Sequence, residues 1–282
     1  MGKLLAFVDG SVYADSVADH AVWIAGRAGL DVDLVHVLGR REMSGTTNNL
    51  SGNITLGARS ALLAELSELD EQRAKLAQAR GRLLLDGAAA RVREGGVAEP
   101  GTRLRIGELL DSVGEADAEM ILIGKRGEGA DFAKLHLGSN LERVVRASPK
   151  PVFVAAREFR DIKRVLIAFD GGTSSLKAVD HASRSTLYAG LEIHVLSAGP
   201  DTSAMQQKLD TARGMLAAAG FEPKLSVRDG QPDHVIARAV EEDGIDLLVM
   251  GAYGHSRIRT LIIGSTTTEM IRSCKIPVVL YR

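Results

Sequence analysis

Apolar residues follow two rhythms along this chain. Short runs of four to seven, such as 4–8, 32–38, 120–123 and 165–169, are separated by longer stretches in which apolar side chains return every three or four residues. Runs that short which do not alternate with polar residues predict strands covered on both faces of a parallel sheet, and the intervening stretches predict helices. The pattern therefore describes repeated β-α units in an open α/β sheet. Two stretches break the rhythm. Residues 44–53 are polar and rich in Ser, Thr, Asn and Gly, which is loop chemistry. Residues 59–94 then carry one long helical pattern with Leu62, Leu66, Leu69, Leu76 and Leu83 set among charges. Read as an amphipathic stripe, those leucines would cover the sheet, and the helix could run past it.

The pattern also repeats. Lys3 to Ser11 reads like Arg164 to Gly172, each an apolar run closed by Asp-Gly. A helical stretch follows in both copies, at 12–29 and 174–190, and then a second apolar run containing a histidine. Later come 120–124 and 247–251, each ending in glycine, then a Gly-Ser pair, then Lys-Pro-Val and Ile-Pro-Val. Pro151 stands thirteen positions after Gly138, and Pro277 thirteen positions after Gly264. Order and spacing that recur together indicate a tandem duplication. The seam falls in the polar residues 157–161, which gives a first domain over 1–158 and a second over 159–282.

Composition narrows the functions open to such a chain. Its 282 residues suit two domains of ordinary size. Lys plus Arg, at 35, nearly cancels Asp plus Glu, at 36, so no basic field favours nucleic acid or anionic lipid. No apolar run approaches the length of a membrane span. The one cysteine, Cys274, excludes an internal disulfide and a cysteine-rich zinc site, and with no apolar leader the expected location is the cytoplasm. P-loop, nucleophile-elbow and zinc-protease motifs are all missing. His36 and His194, near the end of the second strand in each copy, read as packed strand histidines, Cys274 as a packing residue and Trp23 as core. No metal site is expected.

Candidate chemistry gathers where an open parallel sheet places ligands, beyond the carboxyl ends of its strands. In the second copy Gly251-Ala252-Tyr253-Gly254 follows one strand, and Gly264-Ser265-Thr266-Thr267 opens the next helix. Glycines let main-chain amides approach an anion, and a helix start adds unpaired donors. Ser265 and Thr267 offer hydroxyls, and His255, Arg257 and Arg259 lie between as cations. Asp170 has two readings, a hydrogen-bond acceptor for a nucleoside or a turn aspartate bonding its own backbone, and the ligand role is favoured. For Asp9 the turn role is favoured.

Gly251-x2-Gly254-x9-Gly264-Ser265 with Asp170 resembles the nucleotide-binding signature of the universal stress protein family, and the whole chain resembles two such domains in tandem. The resemblance implies a Rossmann-like parallel sheet of strand order 3-2-1-4-5 in each half. It also implies an internal pseudo-dimer through the last strands, near 151–155 and 277–281. It further implies ATP as ligand, with or without Mg2+, its phosphates on the glycine loop and Ser265, Thr266 and Thr267. The nucleoside would lie by Asp170, Gly171, Gly172, Val195 and Ala252. The first copy departs from the signature: ten residues, not nine, separate Gly127 from Gly138, and Leu141 stands in place of Thr267. A weaker second site there would use Asp9, Gly124, Lys125, Gly127, Gly138 and Ser139, with Lys125 supplying charge. No general base or placed nucleophile is recognisable, so any ATP hydrolysis should be slow. The expectation is a stress-response regulator that binds ATP through its second domain. The alternative is a nucleotide-free scaffold working through the long helix and the last-strand surface, with an unidentified protein partner or a second copy of the chain.

Overall fold

The computed structural model describes residues 2–39, 56–115, 117–127, 139–252 and 265–282. The first half runs β1 (Lys3–Phe7), α1 (Ala14–Ala28), β2 (Asp31–Leu38), α2 (Leu56–Glu94), β3 (Gly101–Ile106), α3 (Leu109–Glu115), β4 (Met120–Gly124), α4 (Ser139–Ala147) and β5 (Val152–Ala155). The second runs β6 (Arg164–Ala168), α5 (Thr173–Arg184), a 3-10 turn (Thr186–Tyr188), β7 (Glu192–Ala198), α6 (Ser203–Ala218), β8 (Lys224–Arg228), α7 (Pro232–Glu242), β9 (Leu247–Gly251), α8 (Ser265–Ser273) and β10 (Val278–Tyr281). Each half is a parallel sheet of order 3-2-1-4-5. The halves join into one ten-stranded sheet, β3-β2-β1-β4-β5-β10-β9-β6-β7-β8.

The join is the sheet's antiparallel pair, Val278 against Val154, Val279 against Phe153 and Leu280 against Val152. The expected internal pseudo-dimer is therefore present. It also uses up the last-strand surface that a scaffold would have offered, because β5 and β10 are now central strands buried along their length. The outer strands are β3 and β8 instead.

Helices cover both faces, which is why the strands read as unbroken apolar runs. One core layer holds α1, the end of α2, α5 and α6 against residues such as Leu4, Phe153, Ile167 and Val195. The other holds α3, α4, α7 and α8 against Leu5, Ile121, Leu248 and Leu280. Side chains cross between the halves. Arg27 donates to the carbonyls of Leu187 (2.8 Å) and Ala189, and its guanidinium lies over the Trp23 ring. Within the second half, Tyr281 bridges Tyr188 and His181 at 3.2 and 2.7 Å.

The long helix corrects the sequence reading. Its buried face is Leu85, Ala88, Ala89 and Val92, whereas Leu66, Leu69, Leu76 and Leu83, expected to cover the sheet, are exposed. The heptad spacing of the leucines is real, but the packed face is made mostly of small residues. Gly81 shows why: a Cβ there would stand 2.7 Å from Leu104 and 2.8 Å from the His36 ring, so the helix lies too close to β2 and β3 for larger side chains.

The histidines that the duplication repeats are also different ones. β1 pairs Lys3 with Asp31, and β6 pairs Arg164 with Glu192, so His194 occupies the place of Asp33, and His36 that of Ser197. His36 bonds the Val8 carbonyl at 2.7 Å, whereas His194 meets the Glu192 carboxylate at 2.7 Å. The equivalent pair is His20 and His181, each eleven residues after its Asp-Gly aspartate. His20 packs against Phe153 and Phe159, at ring separations of 5.4 and 5.0 Å. Its Nδ1 lies 2.6 Å from the Ser16 carbonyl, while its buried Nε2 finds no hydrogen-bond partner.

Burial holds the His20 imidazole down at about 4, against the opposing pull of the Ser16 carbonyl and Asp19. The unfolded chain accepts this proton near 6.5 and the folded chain refuses it, so the stability difference is intact above 6.5 and is lost as pH falls towards 4. Over that window the cost is about 3 kcal/mol from this group. Thermal unfolding between pH 7 and 4 should show a shallower decline for His20→Gln than for wild type. Equal slopes would remove His20 as a source of acid sensitivity.

Candidate functional site

The carboxyl ends of β6, β7 and β9 and the start of α5 form the mouth of the second half. After β6 the chain turns at Asp170, whose Oδ1 accepts from the Gly172 amide at 2.8 Å and the Ser175 hydroxyl at 2.7 Å. This is an Asx turn leading into a helix. Gly171 takes the left-handed conformation, φ 70°, which favours glycine. The Lys208 side chain of α6 lies close by, within 2.3 Å of where a Cβ on Gly171 would stand. Gly172 is the N-cap of α5, with extended backbone and no side-chain cap. The positive end of this twelve-residue helix's dipole thus lies at the mouth, with the Asp170 carboxylate beside it.

Gly251 ends β9 directly beside that helix start. A Cβ on it would come within 2.7 Å of the Ser174 Cβ and 3.3 Å of the main chain of Ser174 and Ser175. The first half repeats the contact, with Gly124 at 2.9 Å from the Tyr13 Cβ. Both glycines therefore serve first to let the helix after the first strand close onto the end of the fourth. Gly127 passes Asp9 in the same way, its Cβ position 3.1 Å from Asp9 Oδ2, while Asp9 Oδ1 accepts from the Ser11 amide at 3.0 Å. Asp9, Gly124 and Gly127 are brought together, as are Asp170, Gly171, Gly172 and Gly251.

The two mouths differ in what fills them. Tyr13 and His36 of the first half are Ser174 and Ser197 in the second. In the first half a cleft of about 90 Å³ remains, walled by Asp9, His36, Leu109, Arg126, Gly127 and Leu141. That is well under the roughly 300 Å³ at which ligand pockets begin. Of the exchanged residues, His36 walls the first cleft, whereas Tyr13 packs in the core; in the second half Ser174 is half-buried beside Gly251 and Ser197 is buried. The residues present there suit a phosphorylated ligand: main-chain donors, small side chains and the ammonium of Lys208.

Several expected donors point elsewhere. The Thr267 hydroxyl is buried and donates to the carbonyls of Gly251 (3.2 Å) and Ala252 (3.4 Å), tying α8 to the strand end instead of facing an anion. Leu141, its counterpart, packs in the core between α4 and the sheet, so the exchange of Thr for Leu changes how the helix is pinned. Lys125 turns away from the first mouth and donates to the Cys274 carbonyl at the end of α8, across the join. Burial there lowers its ammonium to about 8. Arg282 mirrors it by donating to the Arg146 carbonyl at the end of α4. The Val195 side chain is fully buried in the core and lines no opening. Ser265 is exposed at the start of α8, with Thr266 half-buried beside it and Ala252 buried. Gly138, Gly254, His255, Arg257, Arg259 and Gly264 lie outside the described residues, as does the side chain of Ser139. Among the described residues no cluster of His, Cys, Asp and Glu could hold a metal ion, and no helix is long and apolar enough to cross a membrane.

A duplicated 3-2-1-4-5 sheet with a glycine at each fourth strand end matches a known family. The model of the universal stress protein family fits twice, over residues 1–156 and 161–282. The chain belongs to the universal stress protein family. Along its whole length it is 37% identical to the universal stress protein Slr1230 of Synechocystis sp., and each chain is covered completely. The universal stress protein MJ0577 of Methanocaldococcus jannaschii is 23% identical over 44% of this chain and 67% of its own. A crystal structure of a universal stress protein from Archaeoglobus fulgidus superposes on 99% of this chain and 98% of its own at a TM-score of 0.69, with 20% identity, a likeness of fold. Another universal stress protein is solved in complex with cAMP; it is 26% identical, covers 44% of this chain and 98% of its own, and has a TM-score of 0.38.

Sequence reading missed Ser174, Ser197 and Lys208. The two serines could have been found by aligning the copies position by position and asking where a bulky residue in one is small in the other. Lys208 carries no local signal, because only the packing of α6 beside α5 brings it to Gly171. The contacts of Gly251 set a clear expectation. Gly251→Ala should destabilise this universal stress protein by about 1–3 kcal/mol, the usual range for overpacking, as measured by urea unfolding. A neutral result would mean that α5 can retreat from the strand end.

Proposed function

We propose that this universal stress protein is a cytoplasmic stress-response regulator that binds an adenine nucleotide, ATP with Mg2+, at the mouth of its second domain. The phosphates lie against the start of α8 at Ser265 and Thr266 and along the glycine loop of Gly251, Gly254 and Gly264. The nucleoside lies towards Asp170, Gly172 and the end of β7. Lys208 and the positive end of the α5 dipole supply positive potential beside it. One observation carries the preference for the second domain: Ser174, half-buried against Gly251, stands where the first domain has the bulkier Tyr13. Binding serves regulation. No general base is positioned among the described residues, so turnover of the bound triphosphate is slow.

The substitution Gly251→Ala is a poor probe of this site, because it disturbs α5 whether or not a ligand binds. Ser174→Tyr is better, since the first domain accommodates tyrosine on the same backbone with its glycine just as close. Calorimetric titration of the full chain with Mg-ATP should show binding to wild type and a loss of at least about tenfold in Ser174→Tyr, a difference of about 1.4 kcal/mol. Tyr13→Ser should leave the affinity unchanged. No heat of binding to wild type, or an affinity indifferent to Ser174→Tyr, would refute the assignment to the second mouth.

A further inference from the structure

Only the C-terminal part of α2 is covered by its domain. From Leu63 to Leu69 every residue is exposed, whichever side of the helix it occupies. Beyond that point the helix docks through Ala74, Ala77, Gly81, Leu85 and Ala88, all buried or half-buried, and the opposite flank stays open. On that flank Leu69, Leu76 and Leu83 recur every seven residues, and Leu76 and Leu83 are 71% and 72% exposed. A heptad row of leucines is the seam by which one helix packs against another. Nothing among the described residues covers it.

The charges along the same stretch select the partner. Residues 63–72 carry Glu65, Glu68, Asp70 and Glu71 with no Lys or Arg, and residues 73–82 carry Arg73, Lys75, Arg80 and Arg82 with no Asp or Glu. The helix is acidic in one half and basic in the other. A second copy laid antiparallel sets acid against base along the whole contact, whereas a parallel copy stacks each sign on itself. Parallel pairing would also bring Arg73 and Arg80, four residues beyond Leu69 and Leu76 and so next to the seam, onto their own counterparts. The pairs within one helix, Arg73 with Asp70 at 3.8 Å and Lys75 with Glu71 at 2.7 Å, join exposed side chains. Exposed pairs of this kind are weak, so exchanging them for contacts between copies costs little.

We propose that two copies of this chain associate through antiparallel pairing of α2, with Leu69 of each copy packed on Leu76 of the other. The same register sets Glu65 opposite Arg80, and Leu83 opposite position 62, which is also leucine. The two-fold axis crosses the helix between residues 72 and 73, where the sign of the charge changes. Such an interface is self-complementary and closed, so it stops at two chains.

The test uses the full-length chain. Sedimentation equilibrium should give twice the 30.0 kDa chain mass, falling to the single-chain mass for Leu69→Asp combined with Leu76→Asp and for Arg73→Glu combined with Arg80→Glu. Circular dichroism should show these variants folded, because the altered side chains are exposed. For orientation, an equimolar mixture of Leu69→Cys and Leu76→Cys should form a disulfide-linked dimer on mild oxidation, while neither does so alone; the native Cys274 is buried. Three results would overturn the proposal. These are a single-chain mass for wild type at about 100 μM, a hundredfold above a micromolar dissociation constant, a dimer that survives the leucine substitutions, and efficient cross-linking of Leu69→Cys to itself.

Discussion

The antiparallel pairing of β5 with β10 is the contact on which the rest of this molecule depends. A parallel α/β half of this kind ends in a strand with one unpaired side, a liability that has to be covered. Here each half covers the other. Pairing along Val152 to Val154 and Val278 to Leu280 merges two five-stranded sheets into one and lets both helical layers continue across the join. It brings the end of each last helix within reach of a cation from the other half, Lys125 at α8 and Arg282 at α4. Lys125, which looked like a ligand for the first mouth, is thereby committed to holding the halves together.

The two copies differ at their mouths and in the insertion between β2 and β3. Both mouths keep the close approach of a strand-end glycine to a helix start, at Gly124 with Tyr13 and at Gly251 with Ser174. That contact sets the distance between sheet and helix, and so constrains the backbone of both sites alike. What can change is the side chain beyond the contact. The first copy spent that freedom on a tyrosine and a histidine, the second on two serines. Equal scaffolds thus carry different side chains at equivalent positions of the two mouths.

The insertion works on a different principle. Its helix is longer than the face it covers, and the leucine row, with the separated charges, runs from the uncovered part along the outer flank of the docked part. Docking at Gly81 requires a close approach, which leaves the larger side chains on the outside. The exposed stripe is therefore a direct result of how tightly the helix packs on its other side.

Periodicity and spacing were enough to establish the strands and the duplication, because burial between two helical layers imposes apolar runs that are local in sequence. Asp9 as a turn residue was also legible, since an Asx turn needs only the next two amides; Asp170, for which the ligand role was favoured, makes the same turn. What the linear pattern could not decide was direction. Thr267 faces its own strand, Lys125 faces the other half, and the leucines of α2 face outward. His20 and His181 are the matched pair in place of His36 and His194. Each of these outcomes depends on the register between strands or on which helix flank meets the sheet, and those are set by contacts between residues far apart in the chain. A sequence encodes such contacts only jointly, so the geometry of the site became readable once the halves were packed together.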